Sequence, residues 1–135
     1  MSENDPFPSV LSELYHALSA PRRCYVIQIL WNSDRECLPV RELAREIAAI
    51  EEDVDPDCAT GEPYRNVYNA LSQTHLSTLS DTSIIIYDSD RQMIATGSEF
   101  DVAVLLIALT QAIYQTLQGN SIHLNKVIDG TSITD

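Results

Sequence analysis

Lysine is nearly missing from this chain. Lys126 is the only one, and seven arginines complete the eight bases that face twenty acids, for a formal charge of −12. Electrostatics alone would therefore make it a weak binder of phosphate backbones. Cysteine is scarce and unpaired: Cys24, Cys37 and Cys58 are odd in number and show no CxxC spacing. A disulfide framework and a standard zinc site are both excluded by that pattern. The opening MSENDPFPSV has neither a basic stretch nor an apolar run after it, so no signal peptide is expected and the cytoplasm is the expected location. There is no nucleophile elbow, no glycine-rich phosphate loop and no His/carboxylate pair at useful spacing. His16, His75 and His123 are far apart in sequence. Neither an enzyme nor a cofactor is expected. The acids Glu51, Glu52, Asp53, Asp55 and Asp57 lack the DxDxDG order and closing Glu of a calcium loop, so no metal is expected there.

What is present fits one domain with one appended element, since 135 residues bury a modest core and 44% are apolar. Acid excess and scarce lysine with ordinary apolar content point to a proteome adapted to molar salt. Carboxylates stay hydrated there, and self-repulsion is screened because the Debye length falls to roughly 3 Å. The rival reading is an acidic protein that avoids or mimics nucleic acid.

Residues 1–8 are polar, carry Pro6 and Pro8, and read as a flexible arm. Ser9 can cap a helix bearing Val10, Leu11, Leu14, Tyr15 and Leu18. A second helix starts at Pro21, with Tyr25, Val26, Ile29 and Leu30 as its buried stripe and Trp31 at its end. Arg22 and Arg23 in its first turn are expected to pair with carboxylates, with phosphate contact as the alternative. Residues 32–37 read as a polar turn. LPVRELAREIAAIEED then gives a third helix whose apolar face is Val40, Leu43, Ala44, Ile47 and Ile50. Its V-x-x-L-A-x-x-I pattern suits the first helix of a helix-turn-helix, and Arg41 and Arg45 lie four apart on its outer face.

After a solvated acidic loop, a recognition helix is expected from about Pro63 to Leu79. Tyr64, Val67, Tyr68, Leu71, His75 and Leu79 share one face. Arg65, Asn66, Asn69, Ser72 and Gln73 fall on another. Asn and Gln can bind adenine bidentately and Arg can bind guanine, so this second set suits base-edge reading. His75 reads as a structural histidine. Ile84–Tyr87 and Met93–Thr96 are β-formers around the turn Asp88-Ser89-Asp90-Arg91. Arg91, at the tip, is where a wing would meet phosphate or a minor groove.

Residues 98–119 form a last helix, almost continuously apolar from Phe100 to Leu109 and again at Ala112, Ile113, Tyr114 and Leu117. Such a helix must be buried. Asp101, Thr110, Gln111, Gln115 and Gln118 interrupt it and no basic anchors flank it, which argues against a membrane span. A homodimer is expected instead, through Phe100, Val104, Leu105, Ala108, Leu109, Ala112 and Ile113. Residues 120–135 read as a polar tail.

The expected fold is mainly α with a small β-ribbon: a winged helix-turn-helix over 9–97 followed by a dimerisation helix over 98–119. The segments Ser19-Ala-Pro-Arg-Arg-Cys-Tyr-Val26 and Tyr68-x-x-Leu-x-Gln-Thr-His-Leu-x-x-Leu79, followed by a strand and Tyr87-Asp88, resemble the winged-helix domains of haloarchaeal transcription regulators. That family is distantly similar to the ArsR-type repressors. The resemblance implies a DNA-binding homodimer in a salt-loving archaeon. Such domains commonly place a Gly between recognition helix and wing, where this chain has Thr82-Ser83. ArsR-type metal sensing does not carry over, because the Cys-x-Cys pair is missing. Double-stranded DNA contacted by Arg65, Asn66, Asn69, Gln73, Arg91, Arg41 and Arg45 is thus the expected partner. No membrane is expected, and a small-molecule effector is left open. The alternative is a winged-helix module for protein contacts that has lost DNA binding.

Overall fold

A computed structural model describes residues 9–119; the expectations for the arm 1–8 and the tail 120–135 lie outside the described residues. They divide into two units, the first ending at Val104 and the second beginning at Leu105.

Helix α1 (Ser9–Ala17) leads into α2 (Pro21–Asn32), where Pro21 occupies a position whose N–H needs no partner. A short strand β1 (Cys37–Pro39) precedes α3 (Val40–Glu52). Helix α3 buries Val40, Leu43, Ala44 and Ile47, as its periodicity predicts, but Ile50 in its last turn is exposed at 49% and Ala48 and Ala49 are buried instead; the helix ends at Asp53 in the left-handed region. The acidic loop holds one 3₁₀ turn, Pro56–Cys58. A long helical stretch follows as α4 (Gly61–Ala70), a π turn (Leu71–His75) and α5 (Leu76–Asp81). Strands β2 (Ile85–Asp88) and β3 (Met93–Thr96) form the wing, and α6 (Phe100–Gly119) closes the described chain.

The sheet is antiparallel in the order β1-β3-β2. Leu38 lies opposite Ile94, and both are buried. This order of helices and strands is the winged helix-turn-helix topology. Its core comprises Leu14, Val26, Ile27 and Leu30 from α1 and α2, Leu43 and Ile47 from α3, Leu71, Leu76 and Leu79 from the long helical stretch, Ile84 just before the wing and Ile94 within it.

Four further expectations change. The third helix does not begin at Leu38: Leu38 and Pro39 belong to a third strand, whose three residues are too few to carry a period. In α2 the buried residues are Arg23, Val26, Ile27 and Leu30, while Tyr25 and Ile29 are half-buried and Trp31 is exposed. Ile27 lies 100° from Val26 and widens the stripe toward the first residues of α6, where Trp31 meets Phe100 at 6.5 Å between ring centroids. The recognition helix is not uniformly α, because the π turn inserts one extra residue into it. Finally, α6 is not buried: within one chain only Phe100 and Ala103 are.

The join from α5 to the wing explains how the chain manages without the glycine. Ser83 takes the left-handed conformation itself, at φ 62°. Its N–H donates to the Ser80 carbonyl at 3.0 Å and the Ile84 N–H to the Leu79 carbonyl at 3.0 Å, which closes the helix end. The Ser83 carbonyl then accepts from the Glu99 N–H at 2.8 Å. Gly97 packs so tightly against that carbonyl that a Cβ there would overlap it.

Candidate nucleic-acid interface

Helix α4 presents the predicted polar set outward. Arg65, Asn66, Asn69 and Gln73 are all exposed, and Val67 and Leu71 are buried on the opposite side. At about 100° per residue, 65, 66 and 69 fall within one sector of about 100°. Glu62 shares that sector in the first turn and is also exposed, so the face carries one acid among its amides.

The seven arginines divide by use. Arg22 makes a bidentate pair with Glu51, at 2.7 and 2.9 Å, the carboxylate pairing its position suggested; this bond holds the Arg22 guanidinium pKa above its ordinary value. Arg35 pairs with Glu42. Arg23 is buried, at 8% exposure, and pairs with no carboxylate among the described residues. It donates to the Ala17 carbonyl at 2.6 Å and lies 3.1 Å from His75 Nδ1. Arg91 is exposed at the wing tip and only 3.9 Å from Asp88, a loose pair. Among the described residues, Arg41, Arg45 and Arg65 have no ion-pair partner.

The structure does not gather all these candidates. Arg45 lines a groove of about 480 Å³ with Ile29, Asn32, Arg35, Glu42, Glu46 and Asp57. No residue of α4 or the wing contributes to that groove, and three of its walls are acids, so Arg45 stands apart from Arg65 and Arg91. Arg41 is exposed in the first turn of α3.

The wing is built on its own polar residues. Asp88 Oδ1 accepts from the N–H groups of Asp90 and Arg91, each at 3.1 Å, which makes the tip. Gln92 follows in the left-handed region at φ 53°. Its side-chain oxygen accepts from the hydroxyls of Tyr68 at 2.9 Å and Ser72 at 3.2 Å. Its side-chain nitrogen donates to the Tyr87 hydroxyl at 2.9 Å and the Ser89 carbonyl at 2.8 Å. Its backbone carbonyl accepts from the Val40 N–H at 2.9 Å. Sequence reasoning missed Gln92, because one glutamine in a turn carries no pattern. Ser72, assigned to the polar face, is partly used here.

His75 ends the π turn. Burial and the nearby Arg23 and Arg22 push its pKa below the ordinary 6.5, against a smaller opposing pull from Glu51. Facing a cation, the ring keeps Nδ1 as an acceptor, so its proton sits on Nε2. The histidine is structural, as its place on the helix suggested.

Of the dimerisation candidates, Phe100 is 4% exposed and packs within its own chain. Val104 is half-buried. Leu105, Ala108, Leu109, Ala112 and Ile113 are exposed, Leu105 at 62% and Ile113 at 60%. Helix α6 is long and apolar enough to cross a membrane by length and composition, with a mean hydropathy of 1.5.

A family model described as a domain of unknown function, DUF7344, matches residues 15–95, more than half of the chain. The match begins within α1 and ends within β3, and leaves out α6. No curated protein and no solved structure matches.

Proposed function

The chain belongs to the DUF7344 family, and we propose that this member is a sequence-specific DNA-binding transcription regulator that acts as a homodimer in a high-salt cytoplasm. One observation carries the reading. Arg65, Asn66, Asn69 and Gln73 are exposed together on the second helix of a helix-turn-helix, with a wing beside it that ends in exposed Arg91. Arg65, unlike Arg22, Arg23 and Arg35, has no side-chain bond among the described residues. In this reading α4 lies in the major groove, its amides read base edges, and Arg91 meets the backbone.

The charge of the whole chain sets the conditions. In dilute salt its net −12 repels a duplex. In molar salt the repulsion is screened and little counterion release remains, so affinity rests on direct contacts.

The dimer is assigned to α6. Its exposed Leu105, Leu109 and Ile113 need cover, and its second half has a polar side made of Thr110, Gln111, Gln115 and Gln118. A membrane span would place that side in hydrocarbon, whereas a two-helix seam leaves it in water. Two recognition helices then address half-sites about 10 bp apart.

The test is binding of genomic duplex fragments by fluorescence anisotropy at ~2 M KCl, where screening is strongest. A preferred sequence is expected. If Asn69→Ala with Gln73→Ala leaves affinity for it unchanged, the groove assignment is wrong. The second reading, a protein-contact module without DNA binding, is favoured by Glu62 on the α4 face and by Asp88 and Asp90 around Arg91. Lack of sequence preference at every salt concentration would select it.

A further inference from the structure

We infer that Gln92 is a positioning residue: it fixes the angle between the wing and α4, and so where Arg91 stands relative to the base-reading side chains. The inference rests on the DNA-binding reading for its purpose, but not for its geometry.

A carboxamide offers two donors and two acceptor lone pairs. Gln92 uses all four, two toward the helix (Tyr68 and Ser72) and two within the wing (Tyr87 and Ser89). A side chain in a surface turn is ordinarily left to water. Here it is held in the notch between two elements, and its main-chain carbonyl also takes the Val40 N–H at the start of α3. Three pieces of the helix-turn-helix therefore converge on one residue: the first turn of α3, the junction of α4 with the π turn, and the wing.

The backbone makes the same point. At φ 53° Gln92 occupies a conformation that glycine or asparagine adopts more readily. Either of those would relieve the turn but could not span from Tyr68 to Ser89. A longer side chain at a strained position is what a strut requires, whereas a turn alone does not.

The sequence neighbour Arg91 has no comparable hold, being exposed and in only a loose pair with Asp88. Its location is set by the turn it sits in, and the turn's orientation is set by Gln92. The strands of the wing have four residues each and are held in a three-stranded sheet, but their pairing ends at Asp88 and Met93 and does not hold the turn between them. On the other flank β1 pairs with β3 at Ala95, Ile94 and Met93, which secures the strands up to their last rung, Asp88 opposite Met93; beyond that rung the Gln92 side chain ties the turn at 89–92 to the helical stretch.

Two measurements test this separately from the function. The first needs no DNA. Tyr68→Phe combined with Ser72→Ala removes only the helix-side bonds, and amide hydrogen exchange is followed at Asp90 and Arg91. Exchange there should speed up roughly tenfold through local opening while the core amides of α3 do not change. Unchanged exchange at the tip would overturn the inference. The second is a double-mutant cycle on the preferred duplex with Arg91→Ala and Gln92→Ala. If Gln92 positions Arg91, losing Arg91 should cost about fivefold in the native background and under about twofold once Gln92 is gone. Additive losses would overturn the inference, since they mean the two act independently. If wild type binds no duplex, the DNA reading fails, and the exchange result still decides the role of Gln92.

Discussion

Arg23 and His75, 52 residues apart in sequence, meet with the guanidinium Nη1 at 3.1 Å from the imidazole Nδ1. One is a buried cation on α2 and the other the last residue of the π turn, so the contact ties the helical stretch of α4, π turn and α5 to the body of the domain. It also makes the fold sensitive to acid. The folded protein holds His75 neutral, with its pKa below 6.5, whereas the unfolded chain protonates it near that value. The unfolded state therefore binds more protons as pH falls. The contribution of His75 is complete above about pH 6.5 and is lost as pH drops through the lower, folded value. Chemical denaturation between pH 8 and 5 should follow that fall, on the scale set by these pKa ranges. His75→Gln should flatten the fall over the same range, and an unchanged slope would remove His75 as its source.

The join between helix and wing predicts two substitutions of opposite sign. Gly97→Ala places a methyl onto the Ser83 carbonyl and should cost about 1–3 kcal/mol. Ser83→Gly removes a Cβ from a left-handed position, and the relief of about 1–2 kcal/mol exceeds the added chain entropy of about 0.5–1 kcal/mol. Thermal unfolding of each variant against wild type checks both directions.

The three thiols should react at different rates. Cys37 and Cys58 are exposed, while Cys24 is half-buried and donates to the Leu18 carbonyl at 3.2 Å. Burial also raises the Cys24 pKa, an effect that the neighbouring Arg23 only partly offsets. Two thiols should titrate quickly with a disulfide reagent at pH 8, and the third only slowly, because thiolate fraction and access both limit it. Mass mapping of the labelled peptides would show which is which.

Core truncations should separate the helix-turn-helix from its surface. Ile47→Ala and Leu71→Ala each empty a site with no exposure and should cost about 2–5 kcal/mol. Asn69→Ala, on the exposed face, should stay within about 0.5 kcal/mol. Urea midpoints give the comparison, and a large loss at Asn69 would mean that residue is structural.

Helix α6 carries the prediction about assembly. Leu109→Glu with Ile113→Glu should convert a dimer to a monomer in sedimentation at high salt, because two charges then enter the seam. Flotation of the wild-type protein with liposomes, in place of dimer formation, would transfer α6 to a membrane.

Much of this protein was determined locally and could be read from the chain. The apolar period fixed α3, and β-formers around Asp88 fixed the ribbon, because each signal lies within a dozen residues. The exposed set Arg65, Asn66, Asn69 and Gln73 follows from helical spacing alone once Val67 and Leu71 are buried. Tertiary structure decided the rest. Strand β1 exists only because Leu38 can pair opposite Ile94. Arg23 reads as one of a basic pair bound to carboxylates, yet it is buried because carbonyls of α1 and the ring of His75 receive its donors. Gln92 reads as one turn residue among several, and it takes a role only when Tyr68 and Ser72 are brought to it. For α6 the composition demanded burial, but a single chain leaves Leu105 and Ile113 exposed. A period reports which face is apolar and says nothing about what covers it. Pairing, ion burial and cover depend on contacts between distant segments, and those are made only when the chain folds.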